Sequence, residues 1–463
     1  MSRPPALTAD LEGARPVRLV TAAEAGRLQG REAAWARVNG FEGKPGQLLI
    51  VPDEGGEAAG ALFGIGQSFE PMIARGLAAR LPGGTWRLEG VSKKDGGLAA
   101  LAFALGSYRF DRYKAQPARD LPVLVAPRGV NREEVNRIAS AAALAREMVD
   151  TPAADMGPQQ IEALARKIAV ASNASINVTE GDALLTGRYP AVHAVGRAAA
   201  PHRAPRVIEI GWNLKRTELP LVALVGKGVV FDTGGLDIKP AAGMRNMKKD
   251  MGGAAHVLAL GRLIMQAGLD VRLVVLVAAV ENAISADAFR PGDILSSRKG
   301  LTIEIGNTDA EGRLILADVL QRAAEHEPAL TLDFATLTGA ARMALGPELP
   351  PLYTDDEALA ADFIAAARHV ADPLWRMPLW SGYRASLDSE IADVRNDSAP
   401  WAQAGSVTAA LFLQKFAPTT GAWAHLDVFA WNPRNRPGWP EGGEAQGLRA
   451  AFEMLSRRYP KGG

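Results

Sequence analysis

Apolar residues along this chain fall into two recurring patterns. Short, nearly unbroken apolar runs occur at 46–51, 121–125, 207–210, 221–225, 271–280, 301–305 and 329–334. Runs of that kind, lacking a polar face, predict strands buried on both sides. Between them lie longer stretches that are Ala-rich or helically spaced: 72–81, 97–105, 158–171, 253–267, 314–325 and 357–370. The clearest helix is 132–149, where Val135, Ile138, Ala142, Ala145 and Val149 share one stripe. Asn131 ahead of Glu133 and Glu134 suits a capped helix start, and Thr151-Pro152 ends it.

Strands alternating with helices predict an α/β fold with a mixed, mostly parallel sheet. The expected organisation is an N-terminal α/β domain over 1–128, a linking helix within 129–157 and a larger catalytic α/β domain over 158–463. Few polar groups in 1–128 look catalytic, so an assembly or regulatory role is expected there. The segment 431–443, rich in Pro, Gly and Arg, reads as an irregular surface segment. In parallel sheets the chemistry collects beyond the carboxyl ends of the strands, and the polar clusters of this chain fall at such places.

Composition narrows the function classes. With 463 residues, 48% apolar and 22% charged, the chain can bury a large core. Its 52 basic and 51 acidic residues leave a formal net charge of +1, which gives no global attraction for nucleic acid or an anionic membrane. The absence of cysteine excludes disulfides, thiolate metal sites and cysteine nucleophiles. The N-terminus is polar and lacks an apolar signal core. The longest uncharged apolar run, near 273–280, is too short for the roughly 20 residues that span a bilayer. A soluble cytoplasmic protein with no membrane partner is expected.

Candidate chemistry concentrates in Asn307-Thr308-Asp309-Ala310-Glu311-Gly312-Arg313, between the 301–305 run and the 314–325 helix. Two residues apart, Asp309 and Glu311 would leave an extended segment on one face. Carboxylates held together repel unless a cation sits between them, and a divalent metal is the usual solution. Glu311 as a first-turn helix acid paired with Arg313 is the plainer alternative, though it leaves Asp309 unexplained. A second cluster runs from Gly226-Lys227-Gly228 through Asp232 to Gly234-Gly235. Burial and a nearby metal would both favour a neutral amine at Lys227; a lysine paired with Asp232 or reaching solvent is the alternative. Asp250, in Met247-Lys248-Lys249-Asp250, precedes a strong helix and also suits a helix N-terminal carboxylate.

Taken as a set, Asp232, Asp250, Asp309 and Glu311, with Lys227 as a nitrogen donor, fit a pair of divalent ions. Such a pair activates a water and polarises a carbonyl or phosphoryl oxygen. The six histidines are scattered without a His-Glu-x-x-His pair, and His256 and His425 read as core residues. No Gly-x-Ser-x-Gly element supports a serine hydrolase, and the spacing around Gly226-Lys227 is wrong for a phosphate loop.

Asn307 to Leu314, reading Asn-Thr-Asp-Ala-Glu-Gly-Arg-Leu, resembles the signature octapeptide of the leucyl (cytosolic) aminopeptidase family of two-metal exopeptidases. The stretch from Gly226 to Pro240 is similar to that family's metal-binding loop, 247–255 to its next metal segment, and 335–340 to its substrate-cleft strand end. Val149 to Ala153 and Trp423 to Asp427 also fit. The likeness covers 130–450, and the first 128 residues show no such match. The resemblance implies that Asp232 and Glu311 bridge two divalent ions, manganese or zinc. Lys227 and Asp250 would complete the tighter site, and Asp309 the more exchangeable one. Lys239 would stabilise the tetrahedral gem-diolate, and Arg313 would hold a bicarbonate acting as general base. Met247, Asn307, Thr336, Leu337 and Gly339 would meet the peptide substrate, in a pocket suited to Leu- or Met-like first residues. A homohexamer, built as a dimer of trimers, is implied as well. Two departures stand out: Thr233 where serine is common, and Leu236-Asp237 in place of a less charged pair, which adds a carboxylate near the site.

Two other readings compete. The carboxylate set alone permits a two-metal phosphoesterase, but the only basic groups for phosphate are Lys239 and Arg313. Some relatives add a DNA-binding role, and the near-zero net charge argues against nucleic acid as the main partner.

Overall fold

The computed structural model describes residues 6–114 and 120–462; the first five residues of the polar N-terminal segment lie outside them. The chain divides into two compact units, Met1–Ala143 with Asn432–Glu441, and Leu144–Trp431 with Gly442–Gly463. The division falls inside the helix Arg132–Asp150, whose start is capped as predicted, with the Glu134 N–H donating to Asn131 Oδ1 at 3.2 Å.

The first unit holds a six-stranded sheet in the order Leu7–Thr8, Pro122–Val125, Gly84–Glu89, Arg15–Thr21, Ala58–Gly66, Leu48–Pro52. All neighbours are parallel except the last pair. The helix Gly96–Gly106 is buried along most of its length, as its Ala, Leu and Phe content requires. The expected helix over 72–81 is a 3-10 turn, Pro71–Ala74, followed by the short helix Arg75–Arg80. Asn432–Glu441 is irregular and exposed at 433–437, as expected, yet it also packs. Buried Arg75 donates Nε to the Gly438 carbonyl at 2.7 Å and lies 4.8 Å from the Trp439 ring. A Pro- and Gly-rich segment has no periodicity to announce such packing.

The second unit is built on an eight-stranded sheet: Trp375–Arg376, Pro351–Tyr353, Ala422–Asp427, Leu330–Ala335, Leu221–Asp232, Arg272–Asn282, Arg206–Trp212, Ser175–Glu180. The four strands from Ala422–Asp427 to Arg272–Asn282 are mutually parallel, and antiparallel strands flank them. This is the mixed, mostly parallel α/β sheet the sequence predicts. Leu221–Asp232 is buried at every position but Phe231, and the helices Gly252–Ala267 and Glu311–Ala324 pack against it. Two expectations change. The 301–305 run is not in the main sheet; Thr302–Glu304 pairs with Ile294–Ser296 and Val394–Arg395 in a small sheet of its own. Ser175–Glu180 is an edge strand with alternating burial, which a search for unbroken apolar runs passes over. Among the described residues no helix is long and apolar enough to cross a membrane.

Asp318 fastens the helix Glu311–Ala324 to its surroundings. Its fully buried carboxylate accepts from the backbone N–H groups of Ala191 at 2.9 Å, Val192 at 3.2 Å and Arg298 at 2.7 Å. Burial pushes this carboxyl up to about 7, against the pull of those three donors. The folded chain therefore holds this proton more tightly than the unfolded chain. The group's contribution is complete below its ordinary value of 3.8 and is lost as pH rises through about 7. Asp318→Asn turns an amide N–H toward one of the donors and is expected to cost about 1–3 kcal/mol. Urea-denaturation midpoints should show the gap from the native protein narrowing between about pH 4 and about pH 7; a gap that widens with pH would contradict this account.

Candidate metal centre

The site lies where parallel strands end. Lys227 sits within the strand Leu221–Asp232, which runs on past the 221–225 apolar run. The glycines around it serve close packing. A Cβ at Gly253 would lie 2.0 Å from the Phe334 carbonyl oxygen and 2.8 Å from the Lys227 nitrogen, so only glycine lets the helix Gly252–Ala267 settle here. Gly312 does the same for the lysine side chain, since a Cβ there would meet Lys227 Nζ at 2.6 Å. Asp232 closes the strand, opposite Asn282 on the neighbouring strand. Asp250 lies in the 3-10 turn Met247–Met251 that leads into the helix.

Asp309 and Glu311 do not share a face of an extended segment. Asn307 Oδ1 accepts from the Asp309 N–H at 2.8 Å, which sets a turn, and Glu311 is the first residue of the helix Glu311–Ala324. The turn brings the two carboxylates together in place of strand alternation. Carboxylate oxygens of Asp232, Asp309 and Glu311 all lie within 4.8 Å of one another. Lys227 Nζ is 2.8 Å from Asp250 Oδ2 and 2.9 Å from Glu311 Oε1, and donates to the Thr336 carbonyl at 3.1 Å. Lys239 Nζ is 2.8 Å from Asp232 Oδ2 and also pairs with Asp309. The alternatives of solvent-reaching lysines and a simple Glu311–Arg313 pair find no support: Lys227 and Glu311 are both buried, and Arg313 instead donates Nη1 to the Asn396 carbonyl at 2.6 Å.

Electrostatics at the cluster are those of crowded acids. Burial, then the charge on Asp232, pushes Glu311 up to about 8 and Asp309 up to about 6. Burial alone would lower the Lys227 ammonium; the carboxylates of Asp250, Glu311 and Asp232 outweigh it and hold its pKa raised. Lys239 is raised for the same reason, by Asp232 and Asp309 against burial. Burial pushes Arg313 down to about 10 and Lys249 down to about 8. Four carboxylates face two lysines here. Asp250 Oδ2, Asp309 Oδ1 and both Glu311 oxygens are buried without an aligned hydrogen bond, although three of the four lie within ion-pair distance of a lysine. Buried acceptors left over in this way, oxygen-rich with one amine, fit hard divalent cations.

The remaining expected residues line the same cavity of about 370 Å³: Met247, Asn307, Thr336, Leu337, Gly339 and Arg313. Thr336 Oγ1 donates to Asp250 Oδ1 at 2.8 Å, and the Leu337 N–H to Asp427 Oδ1 at 3.0 Å. Sequence reasoning missed the supports behind them. Buried Asn282 donates to Asp232 Oδ1 at 2.9 Å and to the Thr308 carbonyl at 3.2 Å. Buried Asn396 binds the backbone of Gly306 and Asn307 through Oδ1 and the Asn307 carbonyl through Nδ2. Lone asparagines distant in sequence carry no spacing signal. Asp237, the unexpected extra carboxylate, does not join the cluster; it accepts from the Thr308 N–H at 2.7 Å and pins one metal-site loop to the other. His425 pairs with buried Asp333, and His256 is bonded at both ring nitrogens, to the Gly252 carbonyl and the Gln446 N–H, so both serve the core as read.

The family described as "Cytosol aminopeptidase family, catalytic domain" matches residues 143–452, and "M17 aminopeptidase, N-terminal domain" matches residues 16–127. The second match corrects the view that the first 128 residues show no family likeness; they carry no reactive motif by which to read it. A probable cytosol aminopeptidase of Syntrophotalea carbinolica is 41% identical over 370 residues, 76% of this chain and 73% of its own length. One from Rhodococcus erythropolis is 38% identical over 442 residues, 90% and 86% of the two chains. The crystal structure of cytosol aminopeptidase from Coxiella burnetii, 42% identical, superposes with a TM-score of 0.90 over 98% of this chain and 99% of that one. The bottromycin maturation enzyme BotP in complex with Mn, 34% identical, gives 0.86 over 97% and 100%. The chain belongs to the cytosol aminopeptidase family and is a hydrolase of the metallo-aminopeptidase type.

Proposed function

We propose that this aminopeptidase removes Leu- or Met-like first residues from peptides with the help of two divalent ions, manganese or zinc. The observation that carries this reading is the convergence of Asp232, Asp309 and Glu311 within 4.8 Å, at a cavity that Lys239 and Arg313 also line. Ions held there would polarise the scissile carbonyl and acidify a water. Asp232 and Glu311 are suited to being shared between two ions, Asp250 and Lys227 to one of them, and Asp309 to the other. Lys227 would be a neutral amine donor to an ion, its proton released to solvent as the carboxylates that stabilise its charge turn to cations. Thr336 orients this pair, accepting from Lys227 and donating to Asp250. Lys239 offers its N–H bonds to the carbonyl oxygen as that atom gains charge. Arg313, whose Nε has no hydrogen-bond partner, offers donors to a bicarbonate that would take a proton from the water. Met247, Thr336, Leu337 and Gly339 would receive the first side chain, with Asn307 holding the Asp309 turn.

The same reading extends to the whole chain. Residues 1–128 would serve assembly or regulation, 129–157 would link, and 158–463 would carry catalysis. A homohexamer arranged as a dimer of trimers, and a cytoplasmic location, complete the proposal. The phosphoesterase alternative is not favoured.

Hydrolysis of leucyl anilide should vanish on chelation and return with manganese or zinc. Asp309→Ala should lower kcat/KM at least about 100-fold; full activity in chelator, or in this variant, would refute the metal mechanism. Lys239→Met should lower kcat about 100- to 1000-fold with metal content unchanged, as loss of an oxyanion donor does. A change confined to KM would assign Lys239 to substrate binding alone.

A further inference from the structure

Lys249 is a buried cation with no part in the reaction proposed above. Only 3% of it is exposed, yet it lines the cavity, with its ammonium 5.3 Å from the centre of the Phe429 ring. Among the described residues its ammonium has no hydrogen bond and no carboxylate within 4.0 Å. The Arg342 guanidinium lies 4.5 Å from the same ring, also lines the cavity, and among the described residues hydrogen-bonds only to the Thr338 carbonyl, at 3.1 Å. The nearby acids are engaged elsewhere. Asp250 faces Lys227 and the Thr336 hydroxyl. Asp427 accepts from the Leu337 and Thr338 N–H groups, the Thr338 hydroxyl and Ser406. Two cations thus line one cavity, each beside the Phe429 ring, and among the described residues neither has a carboxylate at ion-pair distance.

A desolvated cation without a partner is costly, and an anion arriving with the substrate would relieve that cost. Met247, which also lines the cavity, offers apolar surface for methylene groups, and the two cations offer positive charge. We propose that Lys249 and Arg342 make the pocket for the substrate's first side chain accept a carboxylate, so that N-terminal glutamate is cleaved alongside Leu- and Met-like residues. This rests on the aminopeptidase reading. Lys249 and Arg342 are then specificity residues, and the discriminating comparison is glutamyl against glutaminyl substrate, which share shape and differ in charge.

The test is kcat/KM for leucyl, glutamyl and glutaminyl anilides at about neutral pH with the metal-loaded full chain. The native protein should favour glutamyl over glutaminyl by at least about tenfold, the scale of a charge-assisted hydrogen bond. Lys249→Met should bring that ratio near unity, and Lys249→Arg should keep it. Glutaminyl turnover equal to or above glutamyl in the native protein would overturn the proposal, whether or not the variants fold. So would an unchanged ratio in Lys249→Met. Good leucyl turnover with no glutamyl preference sinks this inference alone, whereas no turnover of any anilide sinks the aminopeptidase reading and this inference with it.

Discussion

Mutual repulsion among buried carboxylates is the constraint on which this protein's active unit depends. Asp232, Asp250, Asp309 and Glu311 come from three separate segments, and the fold presses them together beside two lysines. Such an arrangement is stable only when positive charge lies among the oxygens. Every nearby feature bears on that requirement. The parallel strands bring Lys227 and Asp232 to the sheet's carboxyl end, and Gly253 and Gly312 keep the space around Lys227 free of side chains.

Rigidity comes from groups that never touch the cavity's chemistry. Asn282 joins Asp232 to the Thr308 turn, Asp237 joins the same turn to the Gly234 loop, and Asn396 holds the backbone on either side of Asn307. These bonds fix the carboxylates against their own repulsion before any ligand arrives. Polar supports of this kind supply the preorganisation that electrostatic catalysis needs.

Much of the site was legible in the sequence because its signals are local. Asn307 to Leu314 compresses two acids and a guanidinium into one turn and helix start, and Gly226 to Pro240 keeps Lys227, Asp232 and Lys239 in fixed spacing. The unbroken apolar runs also marked the central strands. Local pattern failed where geometry arises from long-range contact. Glycines around Lys227 permit helix packing against a strand, which no local spacing shows. Asn282 and Asn396 act across chain separations that no spacing rule connects. Asn432–Glu441 packs with a unit hundreds of residues earlier in the chain, and residues 16–127 carry no reactive motif to announce their family likeness.

The most direct test of the central claim is anomalous X-ray scattering from crystals of the manganese-loaded protein. The account predicts two metal peaks about 3.5–4 Å apart. Oxygens of Asp232 and Glu311 would be shared between them, with Lys227 Nζ on one and Asp309 on the other. A lysine still ion-paired to Asp250 and Glu311, with manganese absent from the cluster or bound elsewhere, would contradict it.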